Sequence, residues 1–389
     1  MGEGSGGLTR EALGGLVLIA ATLLALLAAN SPLSAAYHGF LNLPISVAIG
    51  DSALAKPLIL WVNDGLMAVF FLAIGLELKH EMLEGRLRDP RAVILPGMAA
   101  LGGMAVPALV YLALTAGAGV GQGWAIPTAT DIAFALGVLA LAGPGLPPGL
   151  RSFLLTLAIL DDLGAILIIA LFYGHDLDLH YLAAALLPLA GMLVLARLGV
   201  GRLAPALLLG VVMWVLVLQS GIHATLAGVV TAFCIPLRDR HGGNPLHHLS
   251  RGLQPYVAFG IVPLFAFANA GLPLAGLNLG GGADGKIMLG VGLGLVLGKF
   301  LGVLGMCYAL VKLRIGALPE GMRLRHAAAA ALLAGIGFTM SLFIGGLAFG
   351  GGGEMNAVRM GVLGASVIAA GLGLAALRVL SGHGGAASV

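Results

Sequence analysis

The sequence has few charged residues for its length. Only 10% of its 389 residues are Asp, Glu, Lys or Arg, whereas 59% are hydrophobic. A soluble domain carries roughly 25% charged residues, and a soluble protein of this size could not cover its surface with so few. The low charge therefore excludes a soluble fold and predicts a protein whose solvent is the lipid bilayer.

The low cysteine count and the small net charge exclude other classes of protein. The two cysteines, Cys234 and Cys307, both lie inside apolar runs, which excludes a disulfide framework and a CxxC metal site. The net charge is only +3, and the basic residues are spread along the chain, so no nucleic-acid partner is expected. No motif indicates a cofactor.

Apolar runs follow one another along the whole chain. A helix that spans ~30 Å of hydrocarbon needs about 20 apolar residues, so the chain has room for about twelve such helices. The runs occupy about 12–29, 59–78, 94–115, 122–142, 150–174, 179–198, 203–219, 221–236, 254–270, 288–311, 326–349 and 357–380. No polar linker divides them, and we expect residues 1–389 to form a single all-α membrane domain. The first run is longer than the apolar core of a signal peptide and is expected to be a retained helix.

The distribution of lysine and arginine predicts which side of the membrane each loop faces. With a cytoplasmic N-terminus, only Lys56, Lys286 and Arg359 of the 20 basic residues fall on the outer side. Lys299 lies within a span, and the remaining basic residues fall on the cytoplasmic side. An even number of spans then places both termini in the cytoplasm.

Two spans contain residues that interrupt a helix. The fourth has a proline and two threonines within 126–131, and the eleventh has two glycines and two hydroxyl side chains within 335–341. Irregular backbone at membrane depth persists only where protein or water surrounds it. A simple kink is the alternative for each segment alone, but interruptions in both halves of a chain favour a transporter's binding site.

Ionisable side chains also lie within the apolar spans, namely Asp64, Asp131, Asp161, Asp162 and Lys299. Each would oppose insertion by about 2.5–3.5 kcal/mol if it faced lipid at a helix centre. We therefore expect these groups to face one another or water. Any one of them could instead be half of a structural ion pair, an alternative that is strongest for Asp64, near the end of its span.

The adjacent carboxylates Asp161 and Asp162 indicate an ion site. Consecutive helix residues point about 100° apart, so one carboxylate can line a cavity while its neighbour faces another helix. A hard cation prefers several oxygen ligands, which these carboxylates, the Thr130 hydroxyl and the carbonyls of a broken helix supply. Such a site can hold a cation or protons, but not both at full affinity, and the pair should titrate as one unit.

Lys299 needs an anionic partner inside the membrane or must lose its proton. Asp161 is one candidate partner, and the negative ends of broken half-helices are another. Asp131, at a helix break, could balance the positive N-terminal ends of such half-helices.

Several long motifs resemble those of the NhaA-type sodium/proton antiporters. They are WVNDGLMAVFF at 61–71, ATDIAFALG at 129–137, LAILDDLGA at 157–165, SGIHATLAG at 220–228, PLFAFANAG at 263–271, GK at 298–299 and GIGFTMS at 335–341. The resemblance runs from the first span to the last. It implies twelve helices in inverted repeats, with the broken fourth and eleventh helices crossing near mid-membrane.

The resemblance also implies a function. Na⁺ or Li⁺ would leave the cytoplasm in exchange for external H⁺, by electrogenic alternating access that is switched on at alkaline pH. Na⁺ would be bound by Asp162, Asp161 and Thr130, with Asp162 as the direct ligand. Lys299 would pair with Asp161, and Asp131 would balance the helix ends. The implied setting is the bacterial inner membrane, with lipids as neighbours and a second copy of the chain as partner.

Two further features are expected to regulate or assemble the protein. One face of the cytoplasmic end of the second helix carries Glu77, Glu81 and Glu84, with His80 and Lys79 beside them. The resemblance implies a pH sensor there, and a solvated helix end is the alternative. The chain departs from the family pattern at Ser250 and Gln254. Within 44–57, apolar residues recur at Ile45, Val47 and Ile49 before Gly50-Asp51, which favours a hairpin over a plain loop. The resemblance implies that this hairpin contacts a second copy of the chain on the outer side of the membrane.

Two other functions stay open at this point. An intramembrane aspartyl protease would need two carboxylates from different helices, such as Asp131 and Asp161, but the chain has no GxGD segment. A sodium-coupled symporter would need a cavity for an organic substrate. Cleavage of a reporter helix would reveal the first, and ligand-dependent sodium uptake the second.

Overall fold

The structure is a computed structural model that describes residues 10–49, 52–143, 145–174, 177–274 and 281–384. Regular structure within these residues is almost entirely helical. The helices, numbered in chain order, are α1 (Arg10–Ala29), α2 (Ser34–Leu41), α3 (Leu58–Leu83), α4 (Pro90–Leu114), α5 (Ile132–Leu141), α6 (Pro148–Phe172), α7 (Leu179–Arg197), α8 (Leu203–Gln219), α9 (Thr225–Cys234), α10 (Pro245–Asn269), α11 (Ala283–Lys312), α12 (Leu324–Ala334), α13 (Phe338–Phe349) and α14 (Glu354–Gly384). A 3₁₀ segment, Gly121–Thr128, precedes α5.

By length and composition, nine helical segments in the described ranges suit a membrane span, or ten if α12 and α13 form one bent span. The segment Gly121–Leu141, which joins the 3₁₀ turn to α5, is one of them. The shorter apolar helices α8 and α9 cover the remaining predicted runs. The all-α membrane fold is thus confirmed, whereas the number of twelve crossings stays a prediction.

Two short strands lie between α2 and α3. The strands β1 (Pro44–Ile49) and β2 (Ser52–Pro57) pair in antiparallel fashion, with Pro44 opposite Pro57 and Val47 opposite Leu54. The turn that joins them falls outside the described residues. The side chain of Val47 is half-exposed, so the hairpin presents apolar surface.

The chain separates into two compact units. The first contains Asp89–Ala165 with the described residues of Met1–Leu23 and Leu272–Val389, and the second contains Leu24–Arg88 and Ile166–Gly271. In the first unit α4 and α11 pack closely, because a Cβ on Gly302 would collide with the carbonyl oxygen of Gly102. In the second unit α3 and α9 approach through Gly228, where a Cβ would collide with the carbonyl oxygen of Ala68. Small residues permit such close packing between membrane helices.

Both predicted interruptions appear as breaks in the helices of the first unit. The 3₁₀ turn gives way to extended backbone at Ala129 before α5 begins, and α12 and α13 meet at a bend of 45°. Three longer helices also contain π-helical turns, at Trp61–Leu66, Val257–Ile261 and Gly294–Gly298. Such turns often occur at functional sites, and the third directly precedes Lys299.

Candidate functional site

Asp131 joins the two helix breaks of the first unit. Its carboxylate caps α5 by accepting a hydrogen bond from the Phe134 amide at 3.0 Å. The other carboxylate oxygen accepts from the backbone N–H of Thr339 at 3.1 Å and from its hydroxyl at 2.5 Å. The Asp131 amide donates to the carbonyl of Ile336 at 2.7 Å. One buried negative charge therefore lies against the positive N-terminal ends of both α5 and α13.

Hydroxyl groups satisfy carbonyl oxygens near the same breaks. Ser341 donates to the carbonyl of Ile126 at 2.7 Å, and Thr128 donates to the carbonyl of Ala125 at 2.7 Å. Unpaired carbonyls in hydrocarbon would each be costly. The threonines and serines of the two interrupted segments therefore allow non-helical backbone to persist in a buried place.

Asp161, on α6, lies at the centre of a fully buried polar cluster. Lys299 forms an ion pair with its Oδ2 atom, and both side chains are inaccessible to solvent. The Thr130 hydroxyl lies 2.6 Å from the same oxygen and 2.8 Å from the carbonyl oxygen of Ala334. A hydroxyl carries a single proton, so Thr130 can donate fully to only one of these acceptors at a time.

Asp162, the next residue on α6, is equally buried, but its negative charge is compensated differently from that of Asp161. Its Oδ1 atom has no hydrogen-bond partner among the described residues, and neither has Oδ1 of Asp161. Buried carboxylate oxygens without partners are costly. The pair therefore presents oxygens that a proton or a hard cation can satisfy.

Gly103 leaves space for the Lys299 side chain where α4 and α11 pack closely. A Cβ on Gly103 would lie 2.8 Å from Val303 and 3.6 Å from the Lys299 side chain. A larger residue at 103 would thus press on the helix that carries the lysine. The glycine pair Gly102 and Gly302 brings the two helices together one turn from Lys299.

Asp64 has a different environment, in the second unit. It forms an ion pair with Lys56 at 3.0 Å, and both side chains are about a quarter exposed. This arrangement is the structural ion pair that the sequence left open as an alternative. Nearby, Asn63 and Asn269 exchange hydrogen bonds through their amide groups at 3.2 and 2.8 Å, which brings two of the quoted motifs together.

The acidic face at the end of α3 also lies in the second unit. Glu84 binds Arg238 and His247, each at 3.2 Å, through its two carboxylate oxygens. These two hydrogen bonds, the one from His247 first, lower the pKa of Glu84 below its usual value. Glu81 instead accepts a hydrogen bond from the backbone amide of Arg86 at 2.8 Å.

Comparison with known proteins identifies the family. The sequence profile of the family described as Na⁺/H⁺ antiporter 1 matches residues 7–377. The chain belongs to the Na⁺/H⁺ antiporter 1 family. It is 53% identical over 369 residues to the Na(+)/H(+) antiporter NhaA of Pseudomonas fluorescens strain Pf0-1, covering 94% of this chain and 93% of that protein. It is 52% identical to the Na(+)/H(+) antiporter NhaA of Shewanella amazonensis, and the alignment covers 94% of each chain.

Membership in the Na⁺/H⁺ antiporter 1 family makes the chain a secondary transporter and not an enzyme. The resemblance stated from the motifs is confirmed, and the protease alternative is excluded. The structure brings Thr130, Asp161 and Lys299 into direct contact and places Asp131 on the neighbouring break. It does not bring Asp64 into this cluster.

Sequence reasoning missed three partners in these clusters. Thr339 as a donor to Asp131 could have been found, because a hydroxyl beside a helix break is an available donor for a nearby buried carboxylate. The Ala334 carbonyl beside Thr130 carries no sequence signal. The same is true of Arg238, which meets Glu84 from 154 residues away.

Proposed function

We propose that the chain exports cytoplasmic Na⁺ or Li⁺ in exchange for external H⁺ by alternating access, with both cations competing for Asp161 and Asp162. Family membership supports cation/proton exchange in general. The single observation that supports this particular site is that the buried Oδ1 atoms of these adjacent carboxylates have no hydrogen-bond partner in the described part of the chain. Na⁺ would be held by Asp162, Asp161 and the Thr130 hydroxyl, an all-oxygen set that suits a hard cation.

Electrogenic exchange is part of this proposal, and the charges of the site support it. Two carboxylates can carry two protons, whereas one Na⁺ ion brings a single positive charge to the same oxygens. If the site alternates between two protons and one Na⁺, each cycle moves net positive charge inward. Lys299 would pair with Asp161 while that carboxylate is ionised, and Asp131 would keep the ends of α5 and α13 neutralised.

Regulation by pH is proposed for the face formed by Glu77, His80, Glu81 and Glu84. The charged groups that face it are Arg238 and His247, which bind Glu84, and Arg86 follows on the same segment. Because the pKa of Glu84 is lowered, this carboxylate stays ionised as pH falls towards neutrality. Its negative charge therefore remains available to Arg238 and His247 over that range.

The proposed setting is the bacterial inner membrane, with residues 1–389 acting as one multi-pass antiporter domain and both termini in the cytoplasm. The distribution of basic residues supports this orientation. A homodimer is proposed through the outward hairpin at 44–57, whose exposed Val47 supplies apolar surface. Membrane lipids would contact the remaining apolar faces.

Exchange can be tested in inverted membrane vesicles that hold an acid interior. We expect NaCl or LiCl to collapse the pH gradient, KCl to leave it intact, and a change in membrane potential to alter the rate. Vesicles without the protein are the control. A gradient that collapses only when an organic solute accompanies Na⁺ would favour the symporter alternative instead.

A further inference from the structure

A second group of ligating side chains lies in the second unit, apart from the buried aspartates. His80 and Glu84 stand four residues apart at the end of α3, so they share one helix face, and His247 comes from the first turn of α10. Each offers one ligand atom, and the three atoms lie within 4.8 Å of one another. His247 Nε2 lies 3.2 Å from Glu84 Oε2, and the two imidazole rings meet edge to face with centroids 4.4 Å apart.

We propose that His80, Glu84 and His247 form a binding site for a transition-metal dication, for which Zn²⁺ is the best match. Two imidazoles and one carboxylate are an established ligand set for Zn²⁺, with water in the fourth position. Ligand atoms about 2.0–2.2 Å from a tetrahedral ion lie roughly 3.3 Å apart. The separation of His247 and Glu84 already matches this value.

The state of His80 favours a metal over a simple ion pair. Its Nδ1 atom is buried and has no hydrogen-bond partner among the described residues, so the ring has a nitrogen that the protein itself does not use. Glu84 and His247 alone would complete an ordinary ion pair. His80, packed against His247 and one turn from Glu84, adds the third ligand that a metal requires.

Arg238 completes the arrangement from outside the ligand set. It binds Oε1 of Glu84 at 3.2 Å, while Oε2 faces His247. A partner on the second oxygen orients a ligating carboxylate without occupying its metal-binding atom. The positive charge of Arg238 opposes a cation, but the negative end of α3 and the nearby Glu77 carboxylate act in the other direction.

Solvent can reach this group through a cavity of about 620 Å³ beside α10. The cavity is lined by Asn244, His247, His248, Arg251 and Gly252. His247 is thus shared between the cavity and the ligand cluster, which gives a hydrated ion a route to the site. The bound ion would tie the end of α3 to the start of α10, and this binding does not depend on the proposed transport reaction.

The test is calorimetric titration of the full chain in detergent with ZnCl₂, using protein purified without a polyhistidine tag. We expect one ion per chain. His80→Gln, Glu84→Gln and His247→Gln should each weaken the Kd at least about tenfold, since each removes one of three protein ligands. Mg²⁺ prefers oxygen ligands to imidazole and should not bind there. The matched controls His248→Gln and Glu81→Gln should bind as the wild type does.

A second measurement uses the unmodified chain and so avoids any folding defect of the variants. Diethyl pyrocarbonate modifies accessible imidazoles, and peptide mass analysis locates the modified residues. Zn²⁺ should protect His80 and His247 but leave His248 reactive. Absence of saturable Zn²⁺ binding in the wild type would overturn the proposal, as would equal loss of binding in His248→Gln or protection of all three histidines alike.

Discussion

At the residue scale, Asp161 and Asp162 differ in how their charge is compensated. Asp161 contacts the Lys299 ammonium and the Thr130 hydroxyl, whereas Asp162 Oδ1 has no partner among the described residues. An incoming cation must compete with an ammonium at Asp161 but not at Asp162. Asp162 is therefore the carboxylate we assign to direct binding of Na⁺.

Replacing Asp162 by asparagine tests this assignment. The amide keeps the size of the side chain but removes the negative charge, so we expect Na⁺ binding and exchange to be lost together. Gradient collapse in inverted vesicles measures exchange, and calorimetry on the purified variant measures binding. Asp64→Asn is a suitable control, because its partner Lys56 lies outside the cluster. Normal exchange by Asp162→Asn would remove this residue from the site.

Lys299→Ala tests the ion pair with Asp161. The change leaves a buried carboxylate without its ammonium, and breaking a buried pair typically costs about 3–5 kcal/mol. We expect a clear fall in thermal stability in detergent. Without the ammonium, Asp161 should also hold its proton more strongly, so exchange should need a higher pH.

Lys312→Ala is the control for this experiment. Lys312 lies on the same helix but is exposed, with its ammonium over the ring of Tyr308. Surface substitutions usually change stability within about 0.5 kcal/mol. If Lys299→Ala were as stable as Lys312→Ala and kept the wild-type pH profile, the pairing would have no energetic role.

At the element scale, the two broken helices depend on one another. Asp131 accepts hydrogen bonds at the starts of both α5 and α13, and its amide donates to the chain between α12 and α13. A carboxylate there neutralises two helix ends that would otherwise present positive charge to a buried environment. The breaks are thus a single structural arrangement of the first unit.

Thr339→Val tests this dependence. Valine keeps the shape of threonine but removes the hydroxyl that donates to Asp131 at 2.5 Å. A hydrogen bond to a charged group contributes about 1.5–3 kcal/mol. We expect the free energy of unfolding to fall by that amount, which a lower melting temperature in detergent would report. Thr339→Ser retains the hydroxyl and should lose less. Equal losses in the two variants would show that the methyl group, not the hydrogen bond, matters at this position.

The same elements indicate what the sequence could predict. The breaks at 126–131 and 335–341 stood out because proline or glycine there lies beside hydroxyl side chains that can satisfy freed backbone groups. The charges of α6 stood out because ionisable residues are costly within apolar runs. The short length of α9 did not stand out, because apolar sequence continues past the end of the helix at Cys234. The pairing of Glu84 with Arg238 was also hidden, since surface charges carry no periodic signal that links distant segments.

At the scale of the whole molecule, the ionisable clusters belong to different units. Asp131, Asp161, Asp162 and Lys299 lie in the first unit, whereas Glu84 and its partners lie in the second. The binding proposed at the aspartates and the regulation proposed at the end of α3 therefore involve separate residues. Mutation can change one group of residues without removing the other.

This separation allows the shared-site mechanism to be tested by linkage. If protons and Na⁺ compete for Asp161 and Asp162, Na⁺ binding must release protons. The apparent Kd for Na⁺ should then weaken as pH falls, by up to about tenfold per pH unit for each proton displaced. Calorimetry in buffers of different ionisation enthalpy counts the protons released per ion bound.

A variant with glutamine at Glu77, Glu81 and Glu84 completes the linkage experiment. If these residues act only as a sensor, the variant should shift the pH at which exchange begins but release the same number of protons per Na⁺. Saturating Na⁺ should move the pH dependence of exchange downward in both proteins, because a competitor is overcome by concentration whereas a separate switch is not. Binding of Na⁺ without proton release between about pH 6 and 8 would contradict competition, since displaced protons must appear in the buffer. In that case the two cations would occupy different sites, and Asp161 and Asp162 would serve only one of them.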